Sequence, residues 1–221
     1  MAPPDADARP EGDRLTALPS ATALALGACR DASARLLGTL DGLDDATARR
    51  PSRLPGWTVG HVVTHLARNA DSLVRMLEGA MAGGVVDQYE GGLEGRAADI
   101  AAGSGRPAAE LVADLRRAID DLDATWRRIT PELWATGHGR MGNGELCPCA
   151  EMPSRRWREV EIHRVDLGLG PEPADWPDVY VGLELPQALA QLPDRLSPTD
   201  RAVLLAWLLG RADAPPELPP W

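Results

Sequence analysis

The sequence predicts a mainly α-helical protein: a four-helix bundle followed by a short C-terminal extension that is mostly helical, with little or no sheet. Apolar residues recur at intervals of three and four in four long segments, which is the period of an amphipathic helix. No convincing pair of alternating strands interrupts these segments before residue 170. Four helices of this kind can bury their apolar faces against one another in a single bundle.

The four segments are bounded by residues that favour helix starts and ends. The first runs from about 16 to 40, and two prolines and a glycine follow it within 44–57. The second begins near Thr58, a suitable N-cap residue. The third spans about 111–129, and the fourth, which contains 155–170, ends at its glycines. The positions expected to face the core are Leu26, Cys29, Ala32, Leu36, Leu40, Val59, Val62, Val63, Leu66, Ala70, Leu73, Val74, Leu77, Leu111, Val112, Leu115, Ile119, Leu122, Trp126 and Ile129.

The segments outside the four predicted helices complete the predicted organisation of the chain. A glycine-rich connection, roughly 79–107, is long enough to favour a lid or an active-site loop over a simple turn. Near the C-terminus, "DVYVGLEL" suits a short strand and a helix equally well, and "SPTDRAVLLAWLLGRA" predicts a short helix. We expect a disordered lead-in over 1–15, a four-helix domain over 16–170 and a C-terminal domain over 171–221.

Composition excludes several classes of protein. A net charge of -10 argues against nonspecific nucleic-acid binding, which requires a basic surface. No apolar run approaches the roughly 20 residues of a membrane helix, and the polar N-terminus lacks the apolar core of a secretory signal. Three cysteines, an odd number, suggest reduced thiols in a cytoplasmic protein. Lysine is absent while arginine and alanine abound, a bias of GC-rich genomes that is consistent with an actinobacterial source.

The fourth segment carries a polar stripe that is bordered by apolar residues. Within "RRWREVEIHRVDLGLG" (155–170), Glu159, His163 and Asp166 lie four and three residues apart. At about 100° per residue, these positions fall within roughly 60° of one another on a helix. A carboxylate or an imidazole on a buried face is unfavourable unless it is paired or bound to a metal. The stripe therefore predicts either a hydrogen-bond network between helices or a metal site.

The second segment supplies a partner for that stripe. His61 and His65 are one turn apart in "GWTVGHVVTHLARNA", and one imidazole from this helix would join Glu159 and His163 in a set of two histidines and one carboxylate. Three protein ligands with an open fourth position are typical of catalytic rather than structural zinc. The two segments together indicate a metal centre inside the bundle.

Three stretches resemble the mycothiol-dependent maleylpyruvate isomerase family, whose N-terminal domain is a DinB-like four-helix bundle. They are "SRLPGWTVGHVVTHLARNADSLVRMLEGA" (52–80), "RRWREVEIHRVDLGLG" (155–170) and "GRADAPPELPPW" (210–221). The resemblance implies that His65, Glu159 and His163 bind zinc or a similar divalent ion, with His61 as a neighbour.

The resemblance also implies roles for two further residues. Asp166 matches the aspartate of the family's "HxVD" pattern and would orient a ligand or hold a proton. Arg211 matches an arginine near the C-terminus and is expected to contact an anionic group of the thiol or the substrate. The alternative for Arg211 is a surface salt bridge.

The chemistry implied by the resemblance uses mycothiol as the thiol cosubstrate and a small electrophile as the substrate. Coordination to a metal deprotonates a thiol, and the thiolate is the nucleophile. In an isomerase the thiolate adds to a cis double bond, as in a maleylpyruvate-like enoyl acid, and leaves after the bond has rotated. In an S-transferase, used for detoxification or natural-product tailoring, the adduct is the product. We expect a cytoplasmic monomer or homodimer without nucleic-acid or membrane partners.

Two features depart from the family pattern. The chain between "VDLG" and the final "GR" is shorter than in members with a full C-terminal α/β domain, which predicts a reduced domain over 171–221. In addition, "ELCPCAEM" places Cys147 and Cys149 where the family is expected to have no cysteine. Sequence drift is the favoured interpretation, and a soft-metal pair or a redox-sensitive point are the alternatives.

A non-enzymatic protein is the alternative from a different functional class. In such a protein, a metal or a hydrogen-bond network would only hold four helices together or regulate a partner. This alternative predicts a closed site with four protein ligands and no affinity for thiols.

Overall fold

The computed structural model describes residues 20–218, and most of them are helical. The predicted lead-in over 1–15, the start of the first helix at 16–19 and the last three residues lie outside the described part. In chain order, the elements are α1 (Ser20–Thr39), α2 (Asp45–Ala48), α3 (Val59–Met81), α4 (Gly92–Gly103), α5 (Ala108–Arg128), α6 (Pro131–Thr136), β1 (His138–Arg140), β2 (Leu146–Pro148), α7 (Met152–Asp166), α8 (Asp178–Arg195) and α9 (Pro198–Leu208). Single 3-10 turns lie at Cys149–Glu151 and Pro173–Asp175.

Helices α1, α3, α5 and α7 form the predicted bundle. The main contacts join α1 to α7, α7 to α3, α3 to α5 and α5 to α1, so the helices form a ring around a shared core. Almost every position predicted to face that core is buried, with Val74, Val112 and Ile119 half-buried. The mainly α-helical prediction is confirmed.

The two helices that carry the candidate metal ligands, α3 and α7, have well-defined ends. Thr58 caps α3 as predicted, because its side chain accepts from the backbone N–H of His61 while its own N–H donates to the His61 ring. Helix α7 ends at Asp166, and Gly168 follows with a φ of 66°, a left-handed conformation that glycine adopts without strain. These ends set the register of each helix at the site.

A short β-hairpin, β1 and β2, contradicts the expectation that no strand pair precedes residue 170. The strands are antiparallel, with Gly139 opposite Cys147, and a Cβ at Gly139 would lie 2.6 Å from the Met76 sulfur. The hairpin therefore packs directly against α3. Strands of three residues are too short to show a period, which explains why the sequence pattern did not reveal them.

The connection over 79–107 is not the irregular loop that its glycines suggest. Helix α3 extends to Met81, and α4 occupies Gly92–Gly103 and buries Ile100. Whether this segment moves as a lid stays a prediction.

The chain divides into two compact units between Pro171 and Glu172. The second unit contains α8 and α9, so the ambiguous "DVYVGLEL" is helical and the predicted short helix after Ser197 is confirmed. The division lies next to the boundary predicted after residue 170, while the assignment of these parts as domains stays a prediction. No helix in 20–218 is long and apolar enough to cross a membrane.

Replacing Gly60 with alanine is expected to destabilise the bundle. A Cβ at Gly60 would lie 2.3 Å from the carbonyl oxygen of Ser104, so α3 must move away from the chain that precedes α5. We expect a loss of about 1–3 kcal/mol in the free energy of unfolding, measured by urea denaturation.

The matched control is Gly27→Ala, because nothing lies within 4 Å of a Cβ on that helical glycine. This substitution is expected to stabilise the protein by about 0.5–1 kcal/mol, through the higher helix propensity of alanine. Equal effects of the two substitutions would contradict the close approach at Gly60.

Candidate metal centre

The structure brings together the three residues that the sequence proposes as metal ligands. His65 comes from the middle of α3, and Glu159 and His163 lie one turn apart on α7. The His65 Nε2 atom lies 3.0 Å from Glu159 Oε2 and 3.0 Å from His163 Nε2, and the last two atoms are 3.6 Å apart. Among residues 20–218, this is the one group of three or more metal-ligating side chains whose ligand atoms converge.

These separations fit a bound metal ion. Zinc lies at about 2.0–2.2 Å from nitrogen and carboxylate-oxygen ligands, so ligand atoms around a tetrahedral ion are about 3.3 Å apart. The three observed separations lie close to that value on either side. Two imidazoles and one carboxylate also form the ligand set of catalytic zinc sites with an open position. The residues present therefore suit zinc or a similar divalent ion.

Burial and charge give the three groups different proton affinities. Burial lowers the pKa of His65 to about 4, so this imidazole is neutral at pH 7. Burial alone would raise the pKa of Glu159, but hydrogen bonds with His163 and His65 outweigh it and hold this pKa below its usual range. Burial likewise lowers the pKa of His163, but the carboxylates of Asp166 and Glu159 more than offset it and raise the pKa to about 9.

Asp166 lies where an orienting residue would be needed. Its Oδ2 atom accepts a hydrogen bond from His163 Nδ1 at 2.8 Å, which directs His163 Nε2 toward Glu159 and His65. A carboxylate behind a ligating imidazole fixes the ring and raises its basicity. The position therefore agrees with the predicted role of Asp166, which stays a prediction.

A buried arginine that sequence reasoning missed joins the two ligand-bearing helices. Arg156, on α7, donates from Nη1 to the backbone carbonyl of Leu66 at 2.8 Å and to Asn69 Oδ1 at 2.7 Å. Leu66 follows His65, and Arg156 precedes Glu159 by three residues. The contact therefore sets the position of α7 relative to α3 beside the site. The sequence could have indicated Arg156, because this residue continues the polar stripe of α7 by one turn toward the N-terminus.

Arg96 is the second functional candidate that the sequence pattern missed. It extends from α4, and its Nη2 atom lies 3.1 Å from His65 Nδ1. Its guanidinium carbon lies 5.9 Å from the centre of the Trp57 ring and 5.8 Å from that of Tyr89. No spacing rule connects residue 96 with the histidines, because α4 lies within the connection between two bundle helices.

A cavity of about 320 Å³ opens beside the three candidate ligands. His65, Glu159 and His163 form part of its wall, and so do Asn143 and Met141 of the hairpin turn. Four arginines line the same cavity, whereas Glu159 is its one acidic lining residue. The cavity is thus locally basic in a chain of net charge -10. The lining arginines are Arg96, Arg155, Arg156 and Arg158.

The remaining sequence candidates are Arg211 and two cysteines. Arg211 lies in the second unit, just after α9, where its side chain donates to the carbonyl of Gly210, so its contact with the thiol or the substrate stays a prediction. The cysteines Cys147 and Cys149 are buried free thiols, and burial raises the pKa of both, that of Cys149 to about 11. Protonated thiols are poor nucleophiles, in agreement with a thiol supplied from outside the chain.

Comparison with known proteins agrees with the predicted resemblance. The family model of the mycothiol maleylpyruvate isomerase N-terminal domain matches residues 29–168. A crystal structure of a mycothiol-dependent maleylpyruvate isomerase aligns with a TM-score of 0.69 and 29% identity, over 76% of this chain and 68% of that chain. A histidine-to-alanine mutant of such an isomerase aligns with the same TM-score and coverage at 28% identity. A search of curated proteins found no significant match.

The affinity for a divalent metal is expected to rise with pH between 7 and 9. In the metal-free protein, His163 keeps a proton up to a pKa of about 9, and a metal must displace that proton. His65 and Glu159 are already deprotonated in this range, so one proton is released per metal and the affinity should rise about tenfold per pH unit. Competition with a chromophoric chelator measures this slope. An affinity that does not change over this range would contradict the assignment of His163.

Asp166→Asn is expected to weaken zinc binding by about 10- to 100-fold and to flatten its dependence on pH. An amide carries no negative charge, so it raises the pKa of His163 less than a carboxylate does. At pH 8, a smaller fraction of the protein then has to release a proton from His163 when zinc binds. The same chelator competition provides the measurement. Asp31→Asn, on the exposed side of α1, is the control and should leave both quantities unchanged.

Proposed function

Because the chain belongs to the mycothiol maleylpyruvate isomerase N-terminal domain family, we propose that it is a metal-dependent enzyme that uses mycothiol to isomerise a small anionic electrophile. The substrate class is a cis-enoyl acid of the maleylpyruvate type. The observation that carries the proposal is the convergence of His65, Glu159 and His163 beside an open cavity. A site that only held helices together would have no need of a cavity next to its ligand atoms.

The proposed ligands are His65 Nε2, Glu159 Oε2 and His163 Nε2, with zinc as the proposed ion. When bound there, the ion supplies positive charge that lowers the pKa of a coordinated thiol. Asp166 holds the Nδ1 proton of His163, so that Nε2 presents its lone pair to the ion. Arg156 holds α7 against α3, so that ligands from two helices stay within reach of one ion.

The reaction then needs a thiolate and an activated double bond in the same cavity. The thiolate sulfur bonds to one carbon of the cis double bond, and the π electrons of that bond move onto the conjugated carbonyl oxygen. The former double bond is now single and rotates. Return of the electrons from the oxygen re-forms the double bond in the trans geometry and breaks the carbon–sulfur bond, so that the thiolate is regenerated. The lining arginines would stabilise the negative charge on the carbonyl oxygen and on the substrate carboxylates.

The same first step would serve an S-transferase, in which the carbon–sulfur bond is kept and the adduct leaves. The three candidate ligands are common to both outcomes, so the products must distinguish them. A non-enzymatic metal staple, in which the ion only holds the helices together, is the remaining alternative. It predicts that thiols do not perturb the bound metal.

Mass spectrometry of the zinc-loaded protein with mycothiol and a maleylpyruvate-like cis-enoyl acid tests the proposal. We expect a product of unchanged mass that chromatography separates from the substrate, because isomers differ in geometry alone. A product heavier by one thiol would replace the isomerase with a transferase. If neither product forms and thiol leaves a cobalt-substituted site spectroscopically unchanged, the proposal is wrong and the staple is favoured.

His163→Ala separates the metal site from the fold. The substitution is expected to abolish metal binding and turnover, because two protein ligands remain, while circular dichroism shows nearly the same helix content. His138→Ala, on the β-hairpin and outside the cavity lining, is the control and should keep both metal and activity. Full metal occupancy in the His163 variant would contradict the ligand assignment.

A further inference from the structure

A second cavity lies between α1 and α5, the two neighbouring helices of the ring that contact each other least. Its volume is about 220 Å³. Ile119, a predicted core residue, is only half-buried because it borders this space. Among the described residues, Arg156 is the one that borders both this cavity and the cavity beside the candidate metal ligands. The second cavity is therefore a distinct space that the proposed function leaves unused.

Two buried side chains of this cavity have hydrogen-bond donors without an acceptor. Trp126 is 5% exposed and Arg156 is 1% exposed, and both border the cavity. Within residues 20–218, neither the indole Nε1 of Trp126 nor the Nη2 atom of Arg156 has a hydrogen-bond partner. A buried donor without an acceptor destabilises the folded protein. These two groups therefore favour an acceptor that comes from outside the chain.

The wall of the cavity does not neutralise the guanidinium of Arg156. Of the two carboxylates in the wall, that of Asp123 pairs with Arg30 at 2.6 Å, and Asp120 is exposed to water. Burial raises the pKa of the Cys29 thiol to about 12, so this wall residue is uncharged at pH 7. A buried charge without a counter-ion is unfavourable, so the acceptor that suits Arg156 best is an anion.

Much of the remaining wall is apolar and would contact a hydrocarbon group. Burial of such a group away from water is favourable. The volume lies below the roughly 300–1,000 Å³ of pockets that hold drug-sized molecules, so the ligand must be small. The apolar residues of the wall include Ala34, Leu37, Ile119 and Leu122.

We propose that the cavity between α1 and α5 binds a small aliphatic carboxylate. Its oxygen atoms would accept hydrogen bonds from Arg156 Nη2 and Trp126 Nε1, and its hydrocarbon chain would lie against the apolar wall. Hydrogen bonds between a guanidinium and a carboxylate are charge-assisted and therefore strong. The site is independent of the proposed metal and of the proposed function.

Water is the competing occupant of the cavity. A water molecule accepts hydrogen bonds as a carboxylate does, but it leaves the charge of Arg156 without a counter-ion. It also gains nothing from the apolar wall, because a water molecule in a cavity needs two to four polar partners. The carboxylate is therefore favoured by its charge and by its hydrocarbon chain together.

The experiment adds butyrate to the full-length protein and observes the indole N–H groups of its seven tryptophans by proton–nitrogen-15 NMR. The Trp126 resonance is identified by its loss in Trp126→Phe. Trp57 serves as a second reporter, because its ring lies 5.7 Å from that of His65 and would respond to a carboxylate beside the candidate metal ligands. Butyramide, which has a similar hydrocarbon chain and no charge, is the matched ligand.

We expect butyrate to shift the Trp126 indole resonance saturably. Butyramide should bind at least about tenfold more weakly, as for the loss of a hydrogen bond between two charged groups. These titrations use the wild-type protein, so they do not depend on the folding of any variant.

Trp126→Phe removes the indole donor and keeps an aromatic ring. The affinity of this variant is measured from the methyl resonances of Ile119, which borders the same cavity. Butyrate should bind about 3- to 10-fold more weakly, as for one lost hydrogen bond. Trp207→Phe, at a 41% exposed position of α9, is the control and should keep the wild-type affinity.

Three results would overturn the inference. A Trp126 indole resonance that butyrate does not move would leave water as the occupant, whether or not Trp57 responds. Equal affinities for butyrate and butyramide would show that the site does not recognise a carboxylate. Equal butyrate affinities of the wild-type and Trp126→Phe proteins would exclude the indole as a donor to the ligand. Each of these results leaves the proposed function untouched, because the measurements use neither zinc nor mycothiol.

Discussion

The geometry of the candidate metal centre depends on one buried guanidinium. Arg156 is 1% exposed and has no carboxylate within ion-pair distance among the described residues, yet its Nη1 atom donates to Leu66 and Asn69 across the interface between α7 and α3. A buried charge is unfavourable unless hydrogen bonds replace its lost hydration. Sliding α7 along α3 would break these bonds without water to replace them. The register of the two helices is therefore strongly specified, and with it the distance from His65 to Glu159 and His163 on α7.

The site also shows how local charge can oppose the charge of a whole chain. The protein carries ten more acidic than basic side chains, but the cavity beside the candidate metal centre is lined by four arginines and one glutamate. One of the four, Arg155, pairs with Glu151. Arginines on other faces of the bundle join ion-pair networks, such as the one in which Asp114 joins Arg68, Arg106 and Arg117 between α3 and α5. Interactions inside a partly enclosed cavity are screened less by water than those on the surface. An anionic ligand would therefore respond to the cavity rather than to the net charge.

The histidine of α3 was predictable because that helix has a strong apolar period, and the polar stripe of α7 because spacings of four and three place Glu159, His163 and Asp166 on one helix face. Once such a period is recognised, the face that points to the core is known, and a polar residue on that face requires a partner. The same reasoning could have identified Arg156, which lies one turn before Glu159. Arg96 did not, because its helix lies in a glycine-rich connection where no period indicated a helix. The β-hairpin was missed for a similar reason, since strands of three residues carry almost no pattern.

The sequence by itself determined the helical class of the protein, the faces that form its core and the residue types that could hold a metal, because helical periodicity and side-chain chemistry are local properties. It also carried the family resemblance that the comparison confirmed. Only the tertiary structure decided that His65 lies 3.0 Å from Glu159 Oε2 and from His163 Nε2 on α7, that α4 brings Arg96 to His65, and that the hairpin turn helps to enclose the cavity. These distances join residues far apart in the chain, and packing of the whole bundle sets them. The physical reason is that the local sequence pattern specifies the direction in which a side chain points, whereas the residue that it contacts depends on how separate helices pack.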